Sequence, residues 1–388
     1  MDQSYLQQLI EEVRQRNGGL ILNVGNKPEA VVLSIEKYNE LAQKSETLNP
    51  KSEKEEQMKN SESILFHPKT VLVTGGAGYI GSHIAKQLIN LGHKIVIIDD
   101  LSTGKRENIP PGAKFIEGDC GDTNLLRDVL ASGKVDAVMH LAASIEVEES
   151  VRLPVKYLQN NCLNTANLLS AMDEANVKNI IFSSTAAVYG DQAEPLSETD
   201  KTSPNNPYGH SKLLAEKVIK YYCEHKDFRA IIFRYFNACG SSFDGKIQGT
   251  HDSHLLAKLM QVVVGKEEEL VVYGSDYETH DGTCVRDYVH VLDIVSAHLL
   301  ALDKIASLPP GCHLFNIGTG RGVSVLEMVN AAAEVLNKMV PMQLGPKRPG
   351  DAPSSVADAS KIQKELGFTA KFSDLETIIK TAYQAAQN

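Results

Sequence analysis

Thr74-Gly75-Gly76-Ala77-Gly78-Tyr79-Ile80-Gly81-Ser82-His83 stands between a short β-rich run, Thr70–Thr74, and a helix-patterned stretch over 79–91. Gly75, Gly78 and Gly81 form a G-x-x-G-x-x-G array at this strand-to-helix turn. Glycine there permits a tight turn and lets the backbone approach a pyrophosphate, which the positive end of the helix then holds. The next apolar run, Lys94–Asp99, ends on an acid 18 residues past Gly81. That is where a ribose-binding carboxylate of a dinucleotide site belongs. A carboxylate there repels a 2′-phosphate, so the pattern favours NAD over NADP.

Outward from this array, strands and helices alternate. Strands are predicted at Lys114–Glu117, 136–141 and 179–183, with a long helical stretch at 153–176. Alternation with continuous apolar strands implies a Rossmann-type doubly wound α/β fold, a parallel sheet covered by helices on both faces. The dinucleotide-binding part is expected over about 68–235. Beyond it, over about 236–388, loops lengthen, prolines gather (Pro341, Pro346, Pro349, Pro353) and helices such as Val325–Leu336 stand apart. That pattern predicts a smaller mixed α/β lobe that binds substrate. Upstream, residues 44–67 are polar, charged and without hydrophobic periodicity, so they read as a flexible linker. Residues 1–43 read as a small α+β module: a helical stretch at 5–16, apolar runs at 20–24 and 30–33, and a short helix at 35–42.

Composition excludes several classes. With 42% hydrophobic and 23% charged residues the chain is an ordinary globular sequence, long enough at 388 residues for two or three folding units. The net charge of −10 argues against nonspecific nucleic-acid binding. No run of 18 apolar residues occurs and the start lacks an apolar signal core, so neither membrane insertion nor secretion is expected. The six cysteines are scattered, without C-x-x-C or metal-ligand spacing. They are expected to be reduced thiols of a cytoplasmic protein, and no metal site is predicted.

The chemistry is carried by Tyr208-Gly-His-Ser-Lys212, placed at the start of a helix. Four-residue spacing puts Tyr208 and Lys212 on one helical face. A phenol is a poor base at neutral pH, and neighbouring positive charge favours its ionised form. Upstream, Ser183-Ser184-Thr185-Ala186-Ala187-Val188-Tyr189-Gly190 offers the Thr185 hydroxyl at the carboxyl end of a predicted parallel strand, where open α/β sheets bind ligands.

From Lys69 onward the chain resembles the extended short-chain dehydrogenase/reductase family, and within it the 4-epimerases of UDP-glucose. The stretches that carry the resemblance are TGGAGYIGSH, DDLSTGKREN, EGD, HLAAS, VEESVRLPVKYLQNN, SSTAAVYGD, NPYGHSK, RYFNACG, DGTCVRDYVHV, FNIGTG and RPGDAPSSVADASK. The resemblance implies bound NAD. Tyr79 and Ile80 would join the glycines at the pyrophosphate, with Asp99, Asp100, Ser102 and Thr103 around the adenosine ribose. Asp119 and Cys120 would lie beside the adenine. Leu141, Ala142, Ala143, Asn160, Ser183 and Tyr235 would complete the cofactor wall. It further implies a UDP-hexose substrate, held by Asn237, His254, Leu255, Tyr273, Arg286, Arg348 and Asp351, with Phe315 beside the C2 substituent of the sugar. Arginine suits a diphosphate because its planar fork pairs with the oxygens.

The implied reaction is reversible oxidation at C4. Tyr208 takes the 4-hydroxyl proton, Thr185 hydrogen-bonds the same oxygen, and Lys212 holds the nicotinamide ribose while lowering the pKa of the phenol. UDP-glucose and UDP-galactose would interconvert through a 4-keto sugar, supplying UDP-galactose for glycans. Related dehydratases place an Asp-Glu pair after the threonine, whereas Ala186 and Ala187 stand here. The remaining rivals are a 4-epimerase of N-acetylated or other UDP-sugars, whose N-acetyl group a bulky Phe315 beside C2 would crowd, and a regulator that only senses NAD or a nucleotide sugar, against which the intact Thr185, Tyr208 and Lys212 argue. Two departures stand out. Ile145 replaces a lysine common in the family, which implies weaker cofactor retention, and Asn237 is followed by Ala-Cys instead of a proline-containing turn. The family implies a homodimer. The stretch GLILNVGNKPEAVVLSIEKYNELA is similar to prevent-host-death antitoxins, which implies a module for self-association or a protein partner.

Overall fold

The structure is a computed structural model of the 388-residue chain. It describes the strands at 19–24 and 27–33, and residues 68–388 apart from 133, 193, 248–253 and 349–351. The chain divides into two units, Met1–Phe66 and His67–Asn388.

In the first unit β1 (Gly19–Val24) and β2 (Lys27–Leu33) pair as an antiparallel hairpin, with an irregularity between Leu22 and Asn23. The two apolar runs are thus strands, as expected. The helices expected at 5–16 and 35–42 and the linker at 44–67 lie outside the described residues.

The second unit begins with β3 (Thr70–Thr74), the glycine turn and α1 (Tyr79–Asn90), followed by β4 (Lys94–Asp99) and β5 (Lys114–Glu117). Next come α2 (Thr123–Ser132), β6 (Ala137–His140), α3 (Val147–Arg152), α4 (Pro154–Tyr157) and α5 (Asn164–Glu174). The catalytic segment supplies β7 (Asn179–Thr185), α6 (Pro207–His225) and β8 (Arg229–Tyr235). These strands and the later β12 (Gly311–Ile317) form a seven-stranded parallel sheet in the order β12-β8-β7-β6-β3-β4-β5. The order reverses between β3 and β6, the crevice where such sheets bind ligands. One apolar layer packs Ile84 and Leu88 of α1 with Ile231, Phe233 and Phe315. The other packs Leu168 and Met172 of α5 and Ile219 of α6 against Leu72, Val138 and Ile180. Both faces of the central strands are therefore buried, which is why those strands read as unbroken apolar runs.

The lobe contains β9 (Asn237–Cys239), α7 (Leu255–Val263), β10 (Leu270–Tyr273), β11 (Val285–His290), β13 (Gly322–Ser324), α9 (Val325–Leu336), β14 (Met342–Gly345), β15 (Ser354–Ser355) and α11 (Leu375–Gln387). Its core centres on Leu259, Met260, Val272, Met328 and Ile379. Three elements after 236 belong to the Rossmann layer instead. The strand β12 extends the main sheet, and α8 (Val291–Lys304) with α10 (Ser360–Leu366) covers it, with Ile294 and Ile362 in the same core as Phe233. The boundary expected near 235 is thus crossed by the chain, because edge strand β8 needed a partner.

The long helix expected at 153–176 is also interrupted. Between α4 and α5, Leu158–Leu163 forms a wide π-type turn. Its polar side chains explain the insertion. Asn161 accepts from Ser144 N at 2.8 Å and donates to Ser144 O at 2.9 Å and Ser211 Oγ at 2.9 Å. Such turns concentrate at functional sites.

Candidate active site

A cleft of about 1390 Å³ runs along the carboxyl ends of the parallel strands and up to the lobe. Pockets of roughly 300–1,000 Å³ hold a drug-sized ligand, so this one has room for a dinucleotide and a second molecule.

At one end lies the glycine turn. Gly75 has φ +74°, and a Cβ there would stand 2.6 Å from Ala142 N. The helix α1 opens on Gly78, with no side-chain cap, so its first N–H groups are left for a ligand. Gly78, Tyr79, Ile80 and Gly81 all line the cleft. Asp99 ends β4, 8% exposed, its carboxylate accepting from Ala77 N and Leu101 N, both at 2.9 Å. Burial pushes this carboxyl up, and the two backbone bonds oppose that. Asp100 accepts from Ser102 Oγ at 2.6 Å, and Asn164 donates to Asp119 at 2.9 Å. Uncapped helix amides, a Cβ-free cradle and an acid at the adjoining strand end suit an NAD molecule. The expected residues Ser102, Thr103, Cys120, Leu141, Ala142, Ala143, Asn160, Ser183 and Tyr235 all reach the cleft as well, and Ile145 lies among them.

The side chains expected to be catalytic come from β7 and α6. Thr185 is the last residue of β7, two residues beyond the strand end expected from sequence, and its Oγ1 caps the following turn by accepting from Ala187 N at 3.1 Å. Asn206 caps α6 through its side chain, accepting from Gly209 N at 2.9 Å, and Pro207 starts the helix. Tyr208 thereby enters the first turn, and it lines the cleft together with Thr185. Burial raises the phenol's pKa and the Thr185 side chain opposes this. Lys212 is 2% exposed, with Nζ 4.3 Å from the centre of the Phe182 ring. Burial pulls its ammonium down to about 7. Ala186 and Ala187 line the cleft beside Thr185, so no acid stands there.

Behind these groups run buried polar chains. Ser183 Oγ meets Tyr235 OH at 2.8 Å, and Tyr235 OH meets His298 Nε2 at 2.8 Å. His140 joins Thr74 at 2.6 Å and Thr165 at 2.9 Å. Burial holds the His298 imidazole at about 4 and the His140 imidazole at about 3, so both are neutral.

On the lobe side Asn237, His254 and Arg286 reach the cleft. Arg286 lies on β11 in register with Ser355 of β15. Its neighbour Asp287 points the other way, fully buried, and accepts from Thr319 N and Oγ1, Gly320 N and Ala357 N. Four expected substrate residues are not in the cleft wall. Leu255 turns into the lobe core. Tyr273 and Arg348 stack on each other, guanidinium carbon 4.0 Å from the ring centre, because the loop after β14 runs beside β10. Phe315 is 1% exposed, packed on Phe233 with ring centres 6.3 Å apart, under Lys361 Nζ. Strand alternation sends it into the sheet core, and Asn316 takes the opposite face, bonded to Tyr189 OH at 2.6 Å. Asp351 lies outside the described residues.

The sequence reading missed Tyr157, Glu149, Ala352 and Ser355. Tyr157 is buried at the cleft, its ring centre 6.4 Å from that of Tyr208 and its hydroxyl donating to Glu146 O at 2.6 Å. Glu149 accepts from Tyr157 OH at 3.0 Å and from Lys156. Ala352 and Ser355 are small residues on the lobe wall.

Residues 71–318 match the model of the NAD dependent epimerase/dehydratase family. The UDP-glucose 4-epimerase of Lacticaseibacillus casei is 42% identical over 322 residues, 82% of this chain and 97% of that protein. The crystal structure of the UDP-glucose 4-epimerase from Brucella ovis in complex with NAD aligns with a TM-score of 0.78 and 42% identity, covering 81% of this chain and 97% of that one. The UDP-Glc/GlcNAc 4-epimerase of Campylobacter jejuni aligns with a TM-score of 0.72 and 39% identity, covering 82% of this chain and 99% of that one.

Proposed function

This chain belongs to the NAD dependent epimerase/dehydratase family, and we propose that within it residues 68–388 interconvert UDP-glucose and UDP-galactose by NAD-dependent 4-epimerisation. The observation that carries the reading is the meeting of Thr185, at the end of β7, with Tyr208 and Lys212 of α6 in one cleft. A bound nicotinamide supplies the acceptor and donor of the C4 hydride. The chain supplies the rest. Tyr208 takes and returns the proton of the 4-hydroxyl, Thr185 holds that oxygen, and Lys212 orients the ribose. Arg286 and Asn237 hold the diphosphate end while the keto sugar turns to present its other face.

The single experiment is turnover of a panel of UDP-hexoses by the purified protein, followed as 4-epimer formation. UDP-galactose giving UDP-glucose is the expected result, and its absence overturns the reading. The panel includes the N-acetylated pair for a specific reason. Phe315 is in the core instead of the cleft wall, and the lobe wall carries Arg286 with the small residues Ala352 and Ser355. An N-acetyl group at C2 therefore meets no bulky ring from Phe315, and a dual-range epimerase is the second reading.

A homodimer is supported by an apolar face on α3, α4 and the turn after them. Val151 is 63% and Val155 61% exposed, with Leu153, Leu158 and Leu163 beside them. Monomers rarely leave such a patch bare, and a second copy related by a two-fold axis covers it with the same residues. We place the enzyme in the cytoplasm, consistent with six free thiols. The module at 1–43 is read as an accessory unit for self-association or a protein partner.

A further inference from the structure

Behind the catalytic residues lies a buried carboxylate that the reaction as written does not use. Glu216 sits on α6, four residues after Lys212 and eight after Tyr208. It is 7% exposed. Ser184 Oγ donates to its Oε1 at 2.5 Å, and Arg234 grips it twice, Nε to Oε1 at 3.0 Å and Nη2 to Oε2 at 2.7 Å. Ser184 immediately precedes Thr185 on β7, and Arg234 immediately precedes Tyr235 on β8. The Arg234 guanidinium in turn lies 4.7 Å from the centre of the Tyr189 ring. One carboxylate thus ties the catalytic helix to the ends of both strands that face it.

Resting on the function proposed above, we propose that Glu216 is a positioning residue: it clamps the Tyr208/Lys212 helix to the strand end presenting Thr185, and it is the buried counter-charge that keeps Lys212 an ammonium. A pair that only stabilised the fold has no need to stand one turn from the catalytic lysine. The surroundings of Lys212 supply little else of negative sign. Tyr208 and Glu216 flank it on its own helix, Phe182 of β7 lies beneath it, and Cys120 and His140 face it from β5's following loop and from β6. His140 is neutral, and Cys120 is a thiol pushed up to about 12. Burial draws the lysine down to about 7, and Glu216 is the first of the groups acting against that. Removing the negative charge lowers the lysine further, so the ammonium is lost at a lower pH.

The test uses Glu216→Gln in the full chain, read by kcat and KM for UDP-galactose and by calorimetric NAD affinity, each from pH 6 to 9. The expected result is an acid-ward shift of the alkaline limb of kcat and of NAD affinity by about one to two units, from charges roughly 6 Å apart at an effective dielectric near 20. KM for the sugar stays within about twofold. Glu216→Asp, which keeps the charge, restores the profile. If Glu216→Gln fails to fold with Arg234 unpaired, Glu216→Gln with Arg234→Gln removes the carboxylate without stranding a cation; an acid-ward shift is again expected, smaller because the more distant positive charge goes with it. Curves that superimpose on the unmutated enzyme after scaling by one factor, in kcat and in NAD affinity, overturn the proposal. The calorimetric arm reads Lys212 with no sugar present, so a failure of the sugar assignment and a failure of the clamp are distinguishable.

Discussion

Gly81→Ala isolates what the cofactor cradle contributes. Gly81 is in the first turn of α1, and a Cβ built on it would lie 2.1 Å from Gly75 O and 2.9 Å from Gly75 C and Gly76 Cα. Ordinary contact begins at 3.4 Å, so the carbonyl oxygen is about 1.3 Å too close. All three atoms are backbone and cannot rotate away, so either the turn or the start of α1 must move by about an ångström. Two terms then oppose each other in stability. Alanine gains up to about 1 kcal/mol of helix propensity, and overpacking costs about 1–3 kcal/mol. The net change is about 0–2 kcal/mol, a few degrees in melting temperature for a chain of this size. Affinity should fall much further, because the moved amides are the ones aimed at the pyrophosphate. Losing two charge-assisted hydrogen bonds at about 1.5–3 kcal/mol each corresponds to roughly 100- to 10,000-fold in NAD affinity. Calorimetry on cofactor-stripped protein measures the affinity, and thermal unfolding measures the stability. The companion Gly265→Ala has open space but φ +80°, and should show the reverse: lower stability and unchanged affinity. NAD affinity of Gly81→Ala within threefold of the unmutated protein would refute the cradle.

Two further outcomes follow from the site. Tyr208→Phe should abolish 4-epimerisation while NAD and UDP-sugar still bind, measured by turnover and calorimetry, because it removes the proton carrier and keeps the ring. Phe315→Cys should cost about 2–4 kcal/mol in denaturant unfolding by opening a void beside Phe233, and should leave the ratio of plain to N-acetylated turnover unchanged.

What was legible in the sequence was what short spacing encodes. The glycine array, Asp99 and Y-x-x-x-K each fix a local geometry within a turn or two, and all reached the cleft. Register across strands was not legible. Phe315 and Asn316 are neighbours in sequence, yet pairing of β12 with β8 sends one into the core and the other to Tyr189. The same parity separates Arg286 in the cleft from Asp287 beneath the lobe loops. The π-type turn was hidden because 158–163 contains no glycine or proline to break a helix, and the bonds from Asn161 to Ser144 and Ser211 give the reason for it. Glu216 falls outside any familiar spacing, although continuing the helical step from Tyr208 through Lys212 by four more residues lands on it.

The hidden part has a common physical cause. Strand ends along the cleft are held from behind by buried polar chains: Thr74 of β3 through His140 of β6 to Thr165 of α5, Ser183 through Tyr235 to His298, and Ser184 through Glu216 to Arg234. Burying such groups costs about 1–3 kcal/mol each when unpaired, so each chain holds only if its partners sit in register. Those partners come from elements far apart in sequence, which is why no motif announces them. The chains also sort the charges. His140 and His298 are held neutral by burial at about 3 and 4, so neither competes with Lys212 for the role of buried cation near the phenol. The ammonium near the phenol is therefore Lys212, drawn to about 7 by burial, with the Glu216–Arg234 pair one helical turn behind it.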